Sequence, residues 1–353
     1  MNAVAAFEVK GWCPGALRPM ESGDGLLVRI KPWCGAFTLA QAAGLADIAA
    51  RLGNGHIDLT RRANLQIRGL RPDALPELHT ALDGLGLLDA DAATEAARSV
   101  MVGPLAGPDV RALAVALTQA IVADRRLAAL PAKFGWLVDG GGPLSIVAER
   151  ADVALSMSKE GVTLRAHGTW RGVVSPDRAV KAAVALALGE RPLLAAMNDI
   201  PAAGGRKLGV QSGFYGVGVP FGHLDAEQLA ALSKTAGASE MRLSPWRALY
   251  IDAPIPDAAT LGLIVDERDP LLHIEACPGA PACKSSSVDT RRDARRLAAR
   301  GFEGTIHVSG CAKGCARSTA ADLVLVGDGG RYGVVHNGTT RDPIERILAP
   351  EEL

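Results

Sequence analysis

The feature that most restricts the fold is a duplication inside the chain. From Leu26 the sequence reads LLVRIKPWCGAFTLAQAAGLADIAARLGNGHIDLTRRANLQIRGL. It gives an alternating strand, a turn, an amphipathic helix and two short strands parted by TRRA. From Phe214, FYGVGVPFGHLDAEQLAALSKTAGASEMRLSPWRALYIDA repeats that order. Placing Leu59 on Leu243 puts Thr60 on Ser244, Leu65 on Leu249 and Ile67 on Ile251, and Gln41 falls on Gln228 once three residues are dropped. Identities are few, so the shared succession of periods, about two, then about 3.6, then about two, carries the match.

Each copy is followed by a longer α/β unit. The first has a helix expected from Asp109 to about Leu130, then strands at Phe134 to Val138 and Leu144 to Ala148 around the turn DGGGP. The second has a strand at Leu271 to Glu275, a cysteine-bearing loop, a helix near Asp289 to Arg300 and a strand at Thr305 to Val308. A strand pair, Asp322 to Val326 and Arg331 to Val335, closes it through GDGG, a sequence suited to a tight turn. The chain therefore divides into residues 10–88, 95–200, 205–265 and 268–353, an α+β fold with pseudo-twofold symmetry.

Lysine plus arginine number 38, as do aspartate plus glutamate, so no net field draws the chain to nucleic acid or anionic membrane. No stretch reaches the roughly 18 apolar residues of a membrane span. The N-terminal sequence lacks a signal-peptide pattern, and a cytoplasmic location is expected. Six cysteines in 353 residues are too sparse for a disulfide scaffold. Four of them, Cys277, Cys283, Cys311 and Cys315, form C-x5-C and C-x3-C pairs in ACPGAPACKS and SGCAKGCARS. One thiolate per iron suits a 4Fe-4S cluster, whereas structural zinc more often uses tighter C-x2-C pairs. Cys13 and Cys34 stand apart and read as small buried hydrophobes.

These motifs resemble the siroheme-containing sulfite and nitrite reductases. The likeness extends to T-x-R-x-x-x-Q, here Thr60, Arg62 and Gln66, and to P-x-K-F, here Pro131, Lys133 and Phe134. It implies a duplicated sulfite/nitrite reductase-like architecture with two ferredoxin-like repeats and two cluster- and tetrapyrrole-binding α/β units. It also implies that Cys315 would bridge a cluster to siroheme iron. Two substrate-gripping cations of those reductases fall on Asp58 and Gly135, and Lys313 stands where an asparagine meets siroheme. A carboxylate at position 58 is expected to repel sulfite or nitrite.

One branch fits these departures: CPGALRPM, TRRANLQIRGL, PAKFG and GCAKGCAR resemble the precorrin-3B synthases of aerobic cobalamin synthesis. That resemblance implies a monooxygenase acting on precorrin-3A and dioxygen. It further implies a mononuclear non-haem iron beside the 4Fe-4S cluster, and a ferredoxin or flavoprotein reductase relaying NADH electrons, since no G-x-G-x-x-G follows a strand. The candidate tetrapyrrole-binding residues are Arg62, Asn64, Gln66 and Arg68 on one strand face, with Ala63, Leu65 and Ile67 facing a core, plus Lys133, Arg242, Arg247, Lys313 and Arg317. Among seven histidines (His56, His79, His167, His223, His273, His307 and His336), His56 with Asp58, two apart on one strand face, is the candidate catalytic pair. The competing readings are a siroheme-dependent reductase and a non-catalytic cluster protein that carries electrons or binds a tetrapyrrole.

Overall fold

The computed structural model describes residues 12–131 and 133–353, so residues 10 and 11 of the first repeat lie outside it. The first repeat supplies β1 (Met20–Ser22), β2 (Gly25–Ile30), β3 (Ala36–Thr38), α1 (Leu39–Leu52), β4 (His56–Leu59) and β5 (Leu65–Leu70), then α2 (Leu75–Gly84) and α3 (Ala92–Ala97). The first longer unit contains β6 (Val100–Val102), α4 (Pro108–Ala123), β7 (Trp136–Asp139), β8 (Val153–Ser158), β9 (Gly161–Ala166), β10 (Thr169–Val174) and α5 (Pro176–Ala187). The second repeat follows with β11 (Gly209–Gln211), β12 (Phe214–Gly218), β13 (His223–Asp225), α6 (Ala226–Leu232), β14 (Glu240–Leu243) and β15 (Ala248–Ile251). The second unit has β16 (Ile274–Ala276), α7 (Thr290–Ala299), β17 (Ile306–Ser309), β18 (Ala321–Asp328), β19 (Arg331–Gly338) and β20 (Arg346–Leu348).

The repeats exchange a strand. Their sheets run β1-β2-β5-β4-β13 and β11-β12-β15-β14-β3, so each repeat donates the short strand before its helix to the other. The registers match: Asp225 lies opposite His56, and Thr38 opposite Glu240. Thr38 and Asp225 are also the N-caps of α1 and α6, each closing a capping box with the glutamine three residues on, Gln41 or Gln228. Those glutamines reach Leu85 O at 2.8 Å and Leu261 O at 2.6 Å. One apolar core spans both repeats and takes in Met101, Leu137 and Ala154 from the first unit.

The two units share a topology. Parallel β6, β7 and β8 are extended by antiparallel β9 and β10, and parallel β16, β17 and β18 by antiparallel β19 and β20. Gly329 and Gly330, both with positive φ, make the tight turn between β18 and β19.

Some expected elements shift. Leu144 to Ala148 is a buried loop, because Asp139 takes its backbone hydrogen bonds: the carboxylate accepts from Gly141 N (2.7 Å), Ser145 Oγ (2.9 Å) and Ile146 N (3.1 Å). The sheet is completed instead by β8, β9 and β10. The helix from Asp109 ends at Ala123 and passes into a 3-10 turn over Arg125–Ala129, capped by Asp124. Another 3-10 turn, Pro270–His273, replaces the start of the strand expected at Leu271, and β16 begins at Ile274.

Candidate functional site

The cysteines lie on two loops at one end of the second unit. Cys277 and Cys283 follow β16, and Cys311 and Cys315 follow β17, with Cys277 buried and Cys315 exposed. Gly310 N donates to Cys277 Sγ at 3.2 Å, and a Cβ at Gly310 would collide with Ser286. Gly279, at φ +68°, has no room for a Cβ against Thr290. Burial pushes the Cys315 thiol up to about 11, with the other three thiols adding to the rise and Lys313 opposing it. Cys311 moves the same way, chiefly by burial. Thiols gathered and desolvated in this manner give up their protons when iron replaces them. Loop backbone that approaches sulfur closely and donates to it is what a 4Fe-4S cluster requires, so these residues fit one. Among the described residues, no three Cys, His, Asp or Glu are grouped tightly enough for a single metal ion.

Arg68 ties this end to the first repeat. Its guanidinium pairs with Asp24 and donates to Ser22 Oγ (2.7 Å) and to Ala282 O in the cysteine loop (2.9 Å). It is therefore committed to the scaffold and not open to a substrate carboxylate. Gln66 accepts from Arg29 at 2.9 Å. Arg62 and Asn64 do not lie on a strand with them. They belong to a turn in which Thr60 Oγ1 accepts from both of their amides at 3.2 Å, with Ala63 at φ 51°. Ala63, Leu65 and Ile67 do face the core.

The Arg62 guanidinium rests on Gly135, where a Cβ would strike it, and its Nη1 is sealed from water without a partner. Lys133 is exposed nearby in sequence. Gly135→Ala is expected to displace Arg62 at little cost in stability, because a flexible tip can move. Should the tetrapyrrole expected from the sequence bind here, its affinity is expected to fall roughly tenfold for one lost charged contact. Porphyrin titration with a parallel melting curve checks this; an unchanged affinity would remove Arg62 from the binding surface.

Asp58 is not the free, repelling carboxylate that its position suggests. Arg291, from α7, donates to it at 2.6 Å, Arg68 lies at 3.7 Å, and His223 Nδ1 at 3.2 Å. Burial alone would raise its pKa, but Arg291, His223 and Arg68 outweigh burial and hold the carboxyl far below the usual range. An ionised carboxylate only accepts, so His223 Nδ1 carries a proton. Burial keeps the His223 imidazole below its ordinary value. His56 stacks on His223 with ring centroids 4.7 Å apart. Two histidines and an acid thus meet, yet the acid's oxygens are taken by cations. The trio does not fit a mononuclear iron.

A cavity of about 200 Å³ opens where all four parts of the chain converge. Arg61 comes from the first repeat, Glu149 from the first unit, Arg206, Trp246 and Arg247 from the second repeat and its approach, and Glu275 from β16. Arg61 and Arg317 both pair with Glu275 Oε1, and Trp246 Nε1 donates to Glu149 at 3.0 Å. Arg242 is elsewhere: it pairs with Glu240, which also holds Arg111, and does not line the cavity. Of the candidate residues, the structure gathers Arg247 at this cavity, with Arg317 behind Glu275, and leaves Lys313 exposed on the cysteine loop. Sequence reasoning passed over Arg291, Arg61, Arg206, Glu275 and His307 as members of these sites. The repeat alignment, carried past the repeats into the units, would have pointed to the last two.

His307, on β17 beside Glu275, is fully buried and among the described residues has no partner on either ring nitrogen. Burial pushes its imidazole down to about 4 from an ordinary value near 6.5. Between those values the unfolded chain binds a proton that the folded chain refuses, so stability is present above pH 6.5 and is lost as pH falls toward 4. The loss is up to about 3 kcal/mol. Urea midpoints across that range should slope in the wild type and flatten in His307→Leu; equal slopes would contradict a neutral buried imidazole.

This geometry sits in a recognisable lineage. A precorrin-3B synthase from Sinorhizobium sp. is 31% identical over 93% of this chain and 83% of its own length. The chain belongs to the precorrin-3B synthase family. It is an oxidoreductase, and it is also similar to nitrite reductases. Residues 18–85 match the nitrite/sulfite reductase ferredoxin-like half domain. A ferredoxin–nitrite reductase of Synechococcus elongatus is 26% identical, covering 88% of this chain and 77% of that one. The structure of the Mycobacterium tuberculosis NirA protein superposes with a TM-score of 0.70 over 93% of the chain at 20% identity, which establishes the fold. This chain carries Cys277, Cys283, Cys311 and Cys315 as free thiols, and among its described residues no helix is long and apolar enough to cross a membrane.

Proposed function

We propose that the chain catalyses oxygen-dependent hydroxylation and γ-lactone formation on precorrin-3A in cobalamin biosynthesis. The observation that carries this reading is the convergence of a guanidinium-lined cavity with the four-cysteine end of the second unit. A ring bearing acetate and propionate arms matches that charge pattern. One atom of dioxygen becomes a hydroxyl on a ring carbon beside a meso bridge, an acetate arm closes the lactone, and the other atom leaves as water with two electrons and two protons. Cys277, Cys283, Cys311 and Cys315 would hold a 4Fe-4S cluster, which would supply electrons singly, as triplet dioxygen demands. An external ferredoxin or flavoprotein reductase drawing on NADH refills it. Arg62 and Arg247 bind and orient carboxylate arms. His56 and Asp58, placed first as a catalytic pair, serve through the Asp58–Arg291–Arg68 node to fix the wall of the site. No step is assigned to a mononuclear iron.

Siroheme-dependent reduction of nitrite or sulfite is the alternative, favoured by the nitrite reductase similarity. Against it, positions 58 and 135 carry no free cation: Asp58 is neutralised internally and Gly135 seats Arg62. Anaerobic purification, an absorption spectrum and acid–acetone extraction separate the two. A cluster without extractable siroheme supports tetrapyrrole as substrate; released siroheme transfers the reading to oxyanion reduction.

A further inference from the structure

The pseudo-twofold relation supplies an internal control. In the first unit Met101 and Leu137 are registered neighbours on β6 and β7, both buried in the large apolar core. At the matching registered positions on β16 and β17 stand Glu275 and His307. The left-handed turn residue facing them changes in step, from Ala63 at φ 51° to Arg247 at φ 55°. One half therefore seals the contact between repeat and unit with three apolar side chains, and the other fills it with a carboxylate, an imidazole and a guanidinium. The sealed half retains a cavity of about 20 Å³, room for one water, while its counterpart opens to about 200 Å³.

The polar half is incomplete as it stands. His307 lacks a partner on both nitrogens, and Glu275 Oε2 and Arg247 Nε are likewise buried and unpaired. A neutral imidazole always presents one donor and one acceptor, and buried groups of this kind ordinarily find partners. Arg61, Arg206 and Arg247 line the cavity against Glu149 and Glu275, so the balance is cationic, and the buried, unpaired Nε of Arg247 is a donor that an anionic acceptor would satisfy. The volume accommodates a carboxylate on a short arm.

We propose that this cavity is the socket for one carboxylate arm of the tetrapyrrole, received by Arg247 and flanked by Arg61 and Arg206. The inference rests on the tetrapyrrole reading and assigns the arm that Arg247 receives to a cavity of the second repeat, apart from the arm assigned to Arg62. The sequence alignment alone ranks Arg247 with Arg242; the structure separates them.

The test uses the full chain with its cluster and uroporphyrin III, an octacarboxylate, followed by its Soret band. Wild type should bind; Arg247→Asn, which tolerates the left-handed backbone, should bind about tenfold more weakly. Arg61→Gln, at the exposed mouth, guards against a folding defect and should weaken binding about threefold with cluster absorption unchanged. Inorganic phosphate at high concentration should compete with wild type and lose that effect in Arg247→Asn. If wild type binds and both variants bind equally well, the socket is wrong while the tetrapyrrole reading stands. If wild type fails to bind any porphyrin, both fall together.

Discussion

Cys315→Ser is expected to abolish the 4Fe-4S absorption and to lower activity by roughly a hundredfold or more, since even removal of a group behind a metal ligand costs ten- to a hundredfold. The structural reason is local. Cys315 shares a desolvated site with Cys277, Cys283 and Cys311, and Lys313 is the cation whose charge acts on it. Removing one thiolate leaves an iron corner open to water and the loop without its closing bond. Iron and acid-labile sulfide per chain, measured anaerobically beside turnover, check both halves of the expectation. A variant that is active without a cluster would remove the cysteine loops from the mechanism. Gly310 gives a milder version of the same dependence, because its amide is the donor to Cys277 Sγ.

Asp58→Ala should be the most destabilising single change outside the cysteine loops, at about 3–5 kcal/mol. The side chain is 9% exposed, Arg68 is 6% exposed and Arg291 16% exposed, so removing the carboxylate strands Arg291 where water cannot compensate it and leaves Arg68 with Asp24 as its remaining carboxylate. His223 loses its acceptor as well. Chemical unfolding of wild type and variant reads the difference. Arg291→Met added to Asp58→Ala should recover part of it, because the stranded charge is gone. Strict additivity of the two single losses, or a loss under about 1 kcal/mol for Asp58→Ala, would show that the node is solvated and without structural weight.

What the sequence revealed of this fold depended on how far along the chain its partners lie. The helix and hairpin periods of the two repeats, and the glutamine pair Gln41 and Gln228, were visible because they are local. Both glutamines close capping boxes three residues from their N-caps. The exchange of β3 and β13 was not visible. AFT and HLD are three residues each, too short to show a period, and they pair only once both repeats are present. Arg62 and Asn64 alternate with Gln66 and Arg68 as strand residues would, but Thr60 Oγ1 captures their amides and turns the chain first. Asp58 looked like a repulsive carboxylate because its neutraliser, Arg291, is 233 residues away. The cysteines were legible from spacing alone. The polar cavity was not, since Glu275 and His307 each look like an ordinary polar residue within a strand until they are set beside Met101 and Leu137.

The central claim is that this scaffold holds a tetrapyrrole as substrate and puts dioxygen onto it. Incubation of the anaerobically purified chain with precorrin-3A, a reduced ferredoxin system and labelled dioxygen, followed by mass analysis of the tetrapyrrole, tests it most directly. The account predicts one labelled oxygen atom in the product and a second in water. An unlabelled, unchanged tetrapyrrole, together with turnover of nitrite or sulfite by the same preparation, would contradict it.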